Sequence, residues 1–187
     1  MKMSDELFAG IVKGWFKMFP PGNIARAVPE ITDQDKQSIL VVATTALGDA
    51  VCCLPLIASL RAALPDARIG FFVKQNFAPL FTGHAALTEI IEYPGKYRGM
   101  MSVIRQIRAG GYRTALLCNM NDPDVVPLLM FGGITCFLRR PSRTTAFAEY
   151  MANPADAALE QVHAVDGALE LAKRLGIPPV ADTLSLS

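Results

Sequence analysis

Short apolar runs alternate along the chain with segments whose apolar residues recur every three or four positions. Runs of this length predict buried parallel strands, because helices cover both faces of such strands. They lie at 39–42, 68–73, 89–93, 114–118 and 134–138. The periodic segments predict helices, and these lie at 50–63, 76–81, 99–109, 124–131 and 155–175. The alternation predicts an α/β fold, a Rossmann-like parallel sheet with helices on both faces and right-handed crossovers.

A further amphipathic pattern precedes the first predicted strand. Between residues 4 and 19, apolar side chains recur at helical spacing, which predicts a helix with one apolar face. Those side chains are Leu7, Phe8, Ile11, Val12, Trp15, Phe16 and Phe19. Such a face more commonly packs against the rest of the protein. Its aromatic residues and the nearby Lys2, Lys13 and Lys17 keep a second role open, contact with a membrane surface.

These patterns divide the chain into three parts. Residues 1–37 are predicted to form the amphipathic helix and a linker, and residues 38–178 the Rossmann-like domain. Residues 179–187 follow that domain. Within the Rossmann-like domain, the basic and polar residues 139–153 predict a long surface loop.

Composition and charge narrow the class of protein. The 187 residues are 51% apolar and 19% charged, enough for a substantial core in one α/β domain. Lys and Arg total 18 and Asp and Glu total 17, a net charge of +1 that argues against nucleic-acid binding.

The cysteines and the amino-terminal residues indicate the cellular compartment of the protein and whether a metal site is expected. The four cysteines form no Cys-x-x-Cys pair and only two histidines accompany them, so no metal site is predicted. Free thiols and the lack of a secretory signal pattern predict a cytoplasmic protein. The apolar segment 37–60 is not expected to span a membrane, because Asp49 lies in its middle and Pro55 follows.

The loops after the predicted strands are the candidate sites, since ligands of open parallel sheets bind at the strands' carboxyl ends. Segment 43–49 follows the first strand and holds a single glycine. It therefore matches neither the dinucleotide fingerprint nor the phosphate-binding loop, and no nicotinamide or ATP site is predicted. Two roles fit Asp49 in this loop: a cap for free N–H groups at a helix start, or a general base.

Several segments, in order, resemble one family. Segment 39–51 reads Ile-Leu-Val-Val-Ala-Thr-Thr-Ala-Leu-Gly-Asp-Ala-Val, and segments 54–56 and 60–69 continue the likeness with Leu-Pro-Leu and Leu-Arg-Ala-Ala-Leu-Pro-Asp-Ala-Arg-Ile. Further on, His-Ala-Val-Asp at 163–166 and Leu-Gly-Ile at 175–177 match in the same order. Together they resemble the N-terminal domain of glycosyltransferase family 9, the ADP-heptose:lipopolysaccharide heptosyltransferases and their relatives.

The resemblance implies a fold and an activity. The fold would be the N-terminal half of a GT-B glycosyltransferase, in which two Rossmann-like domains face each other across a cleft. The N-terminal domain would hold the acceptor, and a C-terminal domain would hold the nucleotide-sugar. Residues 179–187 would start the linker to that C-terminal donor domain. The implied reaction is an inverting transfer of a heptose or related sugar to a lipopolysaccharide-core or surface-glycan acceptor. It needs neither a metal nor a cofactor.

The resemblance also assigns roles to residues. Asp49 corresponds to the general base, while Thr44, Thr45 and Gly48 belong to the loop that shapes the acceptor site. One position departs from the pattern, because many family members have Arg or Lys where this chain has Ala43. That difference removes a partner for an anion or a carboxylate.

Two further groups of polar residues follow predicted strands and are candidate acceptor ligands. Asn119 and Asn121 follow the fourth strand, where their amides would bond sugar hydroxyls or build a turn. Arg139, Arg140 and Arg143 follow the fifth strand and would hold phosphate groups, or lie in a solvated loop.

The leading hypothesis is the acceptor-side domain of a glycosyltransferase, inactive without its donor domain. Its partners would be a glycan or lipid-linked acceptor and a nucleotide-sugar, at the inner face of the cytoplasmic membrane. Two alternatives stay open: a non-catalytic Rossmann-like binding module, and a membrane-surface adaptor acting through residues 4–19.

Overall fold

Five parallel strands form one sheet whose order, numbered along the chain, is 3-2-1-4-5. A computed structural model describes residues 2–18, 31–140, 147, 150–151 and 163–180. The strands are β1 Ser38–Ala43, β2 Arg68–Lys74, β3 Glu89–Tyr93, β4 Thr114–Asn119 and β5 Cys136–Arg139. All five predicted strands are therefore confirmed, and the α/β Rossmann-like fold with them.

Helices connect the strands and cover both faces of the sheet. They are α1 Lys2–Met18, α2 Asp33–Lys36, α3 Leu47–Val51, α4 Leu54–Ala63, α5 Met100–Gly110, α6 Val125–Phe131 and α7 Ala164–Arg174, with a 3-10 helix at Ala78–Phe81. Alternate residues of β1 show the two layers. Ile39 and Val41 face a core shared with α3, α4 and α7, whereas Leu40 and Val42 face a core shared with α1, α5 and α6.

The predicted helix over 50–63 is wrong in one respect, because the structure has two helices there. α3 ends at Val51 and α4 begins at Leu54. Pro55 at the start of α4 has no N–H, so it cannot donate to the carbonyl four residues earlier and the helix cannot continue through it. The break turns the chain and leaves the short α3 at the carboxyl end of β1.

The region after β5 also differs from the prediction. Phe147 and Met151 are buried in the core on the α5 side, so this segment is not wholly a surface loop. The last helix that the structure describes, α7, begins at Ala164, because the backbone of His163 is not helical and its Nδ1 accepts the N–H of Val165 (3.4 Å). The predicted helical residues 155–162 lie outside the described part of the chain.

The predicted helix before the first strand is confirmed as α1, and one of its faces docks on the protein. Val12 is buried and Phe8 packs beside the ring of Tyr97, with centroids 4.7 Å apart. Asp5 accepts a hydrogen bond from the Tyr97 hydroxyl (3.1 Å) and forms an ion pair with Lys96. Within the described residues, no helix is long and apolar enough to cross a membrane.

Candidate functional site

The carboxyl ends of β1 and β4 lie side by side at the point where the order of strands in the sheet reverses. The chain leaves β1 toward β2 on one side, and β4 continues to β5 on the other, so the two loops diverge and leave a crevice. The loops are joined at their base, where the Thr44 N–H donates to the Asn119 carbonyl (2.8 Å). A register shift between Val42 and Ala43 brings Ala43 opposite Asn119. Ligands of such sheets bind in this crevice.

Asp49 lies in the crevice on the first turn of α3. Its carboxylate turns back toward the loop, where Oδ2 accepts the N–H of Ala46 (3.3 Å) and the hydroxyl of Thr45. This is the carboxylate half of a capping box; Ala46 has no side-chain oxygen to complete it. The predicted cap is therefore present, and it uses only one carboxylate oxygen. Oδ1 has no hydrogen-bond partner within the described residues, and the side chain is half-buried.

The neighbouring loop residues differ in exposure. Thr44 is 1% exposed, and its Oγ1 has no hydrogen-bond partner among the described residues. Thr45 is partly exposed and Gly48 is exposed, with no atom within 4 Å of the position a Cβ would take. Of these predicted acceptor ligands, Thr45 and Gly48 are accessible to solvent, whereas the Thr44 side chain is buried.

Asn119 and Arg140 meet at the same edge of the sheet. Arg140 Nη1 donates to Asn119 Oδ1 (3.4 Å), so side chains connect the last residue of β4 with the residue that follows β5. The guanidinium lies across α7 at Gly167, where an added Cβ would be 2.9 Å from Cδ and 3.0 Å from Cζ of Arg140. Only glycine leaves the room that this approach needs. Gly167 is a site residue that the sequence reasoning missed, since nothing in the pattern of α7 sets it apart.

Cys52 lies within electrostatic range of both Asp49 and Arg140. Its pKa is raised mainly by burial, further by the negative charge of Asp49, and is lowered by the positive charge of Arg140. Arg140 therefore brings positive charge to the Asp49 side of the crevice. Cys52 is partly exposed, whereas the other three cysteines are buried, and all four are free thiols.

The three predicted arginines do not act as one cluster. Arg139 is buried at the end of β5, on the sheet face of Phe137, and burial lowers the pKa of its guanidinium. Arg140 points to the opposite face, toward α7. Arg143 lies outside the described residues. Asn121 is exposed in the loop after β4.

Asp124 is a second buried carboxylate near the crevice, and the sequence reasoning did not select it. Its position before α6 suggests a cap, yet its carboxylate turns away from α6. Oδ1 accepts the Tyr93 hydroxyl (2.9 Å) and Oδ2 accepts the Tyr97 N–H (2.8 Å). Burial raises the pKa of Asp124 and, together with the nearby carboxylates, the pKa of Tyr93. Through Tyr97 and Asp5, this network connects the loop after β4 to α1.

The described residues form no cluster of metal-binding side chains. Within residues 2–18, 31–140, 147, 150–151 and 163–180, no three His, Cys, Asp or Glu side chains lie together as metal ligands. That the reaction needs neither metal nor cofactor stays a prediction. The groups that the crevice presents to a ligand are the Asp49 carboxylate, the Asn119 amide and the Arg140 guanidinium.

Comparison with solved structures places this geometry in a known fold. A family 9 glycosyl transferase from Veillonella parvula superposes with a TM-score of 0.64 at 18% identity, over 84% of this chain and 46% of that one. The E. coli heptosyltransferase WaaC with ADP gives a TM-score of 0.63 at 20% identity, over 80% of this chain and 51% of that one. The same enzyme with ADP-2-deoxy-2-fluoro heptose gives 0.63 at 20% identity, over 80% of this chain and 52% of that one.

The likeness is one of fold. The chain spans about half the length of the solved structures it matches. No family model matches the sequence, and no curated protein does. The resemblance first read from the Asp49 loop is thus confirmed at the level of architecture. The chain has the Rossmann-like α/β fold of the N-terminal part of the family 9, heptosyltransferase-like glycosyltransferases.

Proposed function

We propose that this chain is the acceptor-binding half of an inverting glycosyltransferase, with Asp49 as its general base. One observation carries the proposal: in a glycosyltransferase fold, the Asp49 carboxylate is held through Oδ2 while Oδ1 has no partner among the described residues. A carboxylate anchored in this way keeps its orientation and offers one oxygen to a substrate. General bases of this kind contribute on the order of 10²–10⁴-fold to rate.

In the proposed reaction, Asp49 Oδ1 accepts the proton of an acceptor hydroxyl as the hydroxyl oxygen attacks the anomeric carbon of the donor sugar. The bond from that carbon to the nucleoside diphosphate breaks, and the diphosphate leaves with the electron pair. Attack from the face opposite the leaving group inverts the anomeric configuration. The Thr45 hydroxyl and the Ala46 N–H stabilise the carboxylate before the proton arrives and keep Oδ2 out of the reaction.

Arg140 and Asn119 are proposed to hold the acceptor. Arg140 brings positive charge to the side of the crevice on which Ala43 replaces the basic residue of many relatives. A guanidinium there would bind a phosphate or carboxylate of the acceptor, and charged hydrogen bonds of this type are worth about 1.5–3 kcal/mol. Asn119 would also hydrogen-bond the acceptor through its side-chain amide, whose Oδ1 already accepts a hydrogen bond from Arg140.

The donor and the site of action are proposed from the relatives. One solved heptosyltransferase is bound to ADP and to a fluorinated ADP-heptose, which supports an ADP-heptose-like nucleotide-sugar as donor. Because the chain spans about half of that enzyme, a second domain is proposed to hold the donor. The acceptor would be a lipopolysaccharide core or another lipid-linked glycan, at the inner face of the cytoplasmic membrane.

The test is a donor screen on a protein that carries this chain and a donor-binding domain. ADP-heptose and other nucleotide-sugars are offered with a lipid-linked core acceptor, and the anomeric configuration of the product is read by NMR. Transfer with inversion, and none by the 187-residue chain alone, is the expected result. Transfer with retention would contradict the role of Asp49. The absence of transfer from every donor would favour a non-catalytic binding module.

A further inference from the structure

The exposed side of α1 is apolar, although the helix is already docked through the adjacent residues Phe8 and Val12. Leu7 is 65% exposed, Ile11 63%, Trp15 53% and Met18 72%. Their spacing places them in one stripe along the helix, about a quarter turn around its axis from Phe8 and Val12. The described residues include eight exposed large hydrophobic side chains, and this 17-residue helix holds four of them. A concentration of this kind marks an interaction surface, unlike a singly exposed apolar side chain.

The charge of α1 and of the segment that contacts it through Lys96 and Tyr97 indicates what the surface binds. Residues 94–110, which include the loop against α1 and all of α5, contain Lys96, Arg98, Arg105 and Arg108 and no acidic residue. Residues 2–18 and 94–110 together hold seven basic and two acidic residues, a net charge of +5, whereas the whole chain has +1. Arg98 and Arg105 are exposed, and so is the apolar Met101 between them. The surplus positive charge of the chain is therefore concentrated around α1 and α5.

From these observations we infer that α1 and the basic segment 94–110 form a docking surface for an anionic lipid bilayer. The apolar stripe would enter the boundary between headgroups and acyl chains, and the basic residues would contact anionic headgroups. Exposed Trp and Met side chains suit this boundary, since they are large and apolar and Trp carries a polar N–H. The inference does not depend on a catalytic role for Asp49.

The position of α1 relates this surface to the crevice. Three of its partners follow the carboxyl ends of strands: Lys96 and Tyr97 come after β3, and Phe147, whose ring lies 5.5 Å from Lys13 Nζ, comes after β5. The crevice opens at the same edge of the sheet. Asp124, in the loop after β4, binds the N–H of Tyr97 and so ties that loop to the helix. A bilayer held by α1 would thus lie at the edge where an acceptor enters.

Trp15 makes the inference directly measurable, because it is the only tryptophan in the chain. The full chain is titrated with vesicles of phosphatidylcholine alone and of phosphatidylcholine mixed with phosphatidylglycerol, and Trp15 emission is followed together with co-sedimentation. We expect a blue shift and sedimentation with the anionic vesicles and much weaker binding to the neutral ones. Unchanged emission with both kinds of vesicle would overturn the inference.

Variants separate the apolar and the charged contributions. The double substitution Leu7→Ser with Ile11→Ser should weaken binding on the order of tenfold to a hundredfold. Leu80→Ser, at a side chain 52% exposed on the 3-10 helix, is the matched control and should bind normally. Arg98→Gln and Arg105→Gln should each weaken binding to anionic vesicles about fivefold, and Lys173→Gln on α7 should not.

Two further outcomes would contradict the proposal. If the Leu7→Ser, Ile11→Ser variant binds vesicles as the wild type does while keeping its circular dichroism spectrum, the stripe does not enter the bilayer. If the wild type instead forms a dimer by light scattering, ignores vesicles, and becomes monomeric in that variant, then a second copy of the chain covers the stripe.

Discussion

Replacing Gly167 by Ala tests whether the close approach of α7 positions Arg140. The new Cβ would lie 2.9 Å from Cδ and 3.0 Å from Cζ of Arg140, and closer still to Nε. Ordinary contacts to carbon are about 3.5–4 Å, so the guanidinium must move by about 1 Å. The Arg140–Asn119 hydrogen bond is already long at 3.4 Å, and a shift of this size breaks it.

The stability change should nevertheless be small. Ala gains about 0.5–1 kcal/mol over Gly inside a helix, and a lost partly exposed hydrogen bond costs about 0.5–1.5 kcal/mol. The two nearly cancel, so the melting temperature should move by less than about 4 °C. Gly14→Ala is the matched control, because Gly14 lies in α1 with no atom within 4 Å of a Cβ. It should show only the gain in stability that comes from replacing Gly by Ala inside a helix.

The thiol of Cys52 reports where Arg140 lies. Arg140 lowers the pKa of Cys52, and the thiolate is the form that reacts with iodoacetamide. Moving Arg140 away should raise that pKa and slow alkylation at a fixed pH, in Gly167→Ala and in Arg140→Gln alike. The buried cysteines should contribute little to the signal. If Arg140→Gln slows alkylation and Gly167→Ala leaves it unchanged, Gly167 does not position the guanidinium.

Three further outcomes are expected. Thr45→Val removes the hydroxyl that binds Asp49 and should slow transfer about tenfold or more, since the orientation of the base is lost; an unchanged rate would argue against that role. Burial raises the pKa of Asp124 above its unfolded value of about 4, so the stability it contributes is greatest below that pH and is lost as pH rises through the folded value. Across this range, the free energy of unfolding of the wild type should fall relative to that of Asp124→Asn as pH rises. A difference between the two proteins that does not change with pH would contradict the reasoning. Gly70→Ala puts a Cβ 2.5 Å from Cζ of Tyr112 and should cost about 1–3 kcal/mol by urea unfolding, and a neutral result would show that the ring can move.

Much of the fold could be predicted because its signals are local. Buried strands such as Ser38–Ala43 are continuous apolar runs, and helices such as Met100–Gly110 show the period of their buried face. The break between α3 and α4 was missed because the apolar pattern runs through Pro55, and only its missing N–H ends the helix. Of the two roles suggested for α1, docking on the protein is confirmed by the buried Val12, and membrane contact through exposed residues such as Ile11 stays a prediction.

The site was only partly predictable because it depends on contacts between distant segments. Asp49 and Thr45 could be chosen from one loop, and they do bond each other. Arg139 and Arg140 look equivalent in sequence, yet strand alternation sends them to opposite faces of the sheet. Gly167 carries no local signal, because its importance comes from a side chain that arrives from β5.

The central claim is that Asp49 is the general base of a glycosyl transfer, and the rate of the Asp49→Asn variant tests it most directly. The variant is measured in a protein that also holds a donor-binding domain, with Asp66→Asn, an exposed carboxylate before β2, as the control. We predict that kcat falls about 10²–10⁴-fold for Asp49→Asn, with little change in KM for the acceptor, and that the control keeps the wild-type rate. A kcat for Asp49→Asn within a few-fold of wild type would contradict the claim.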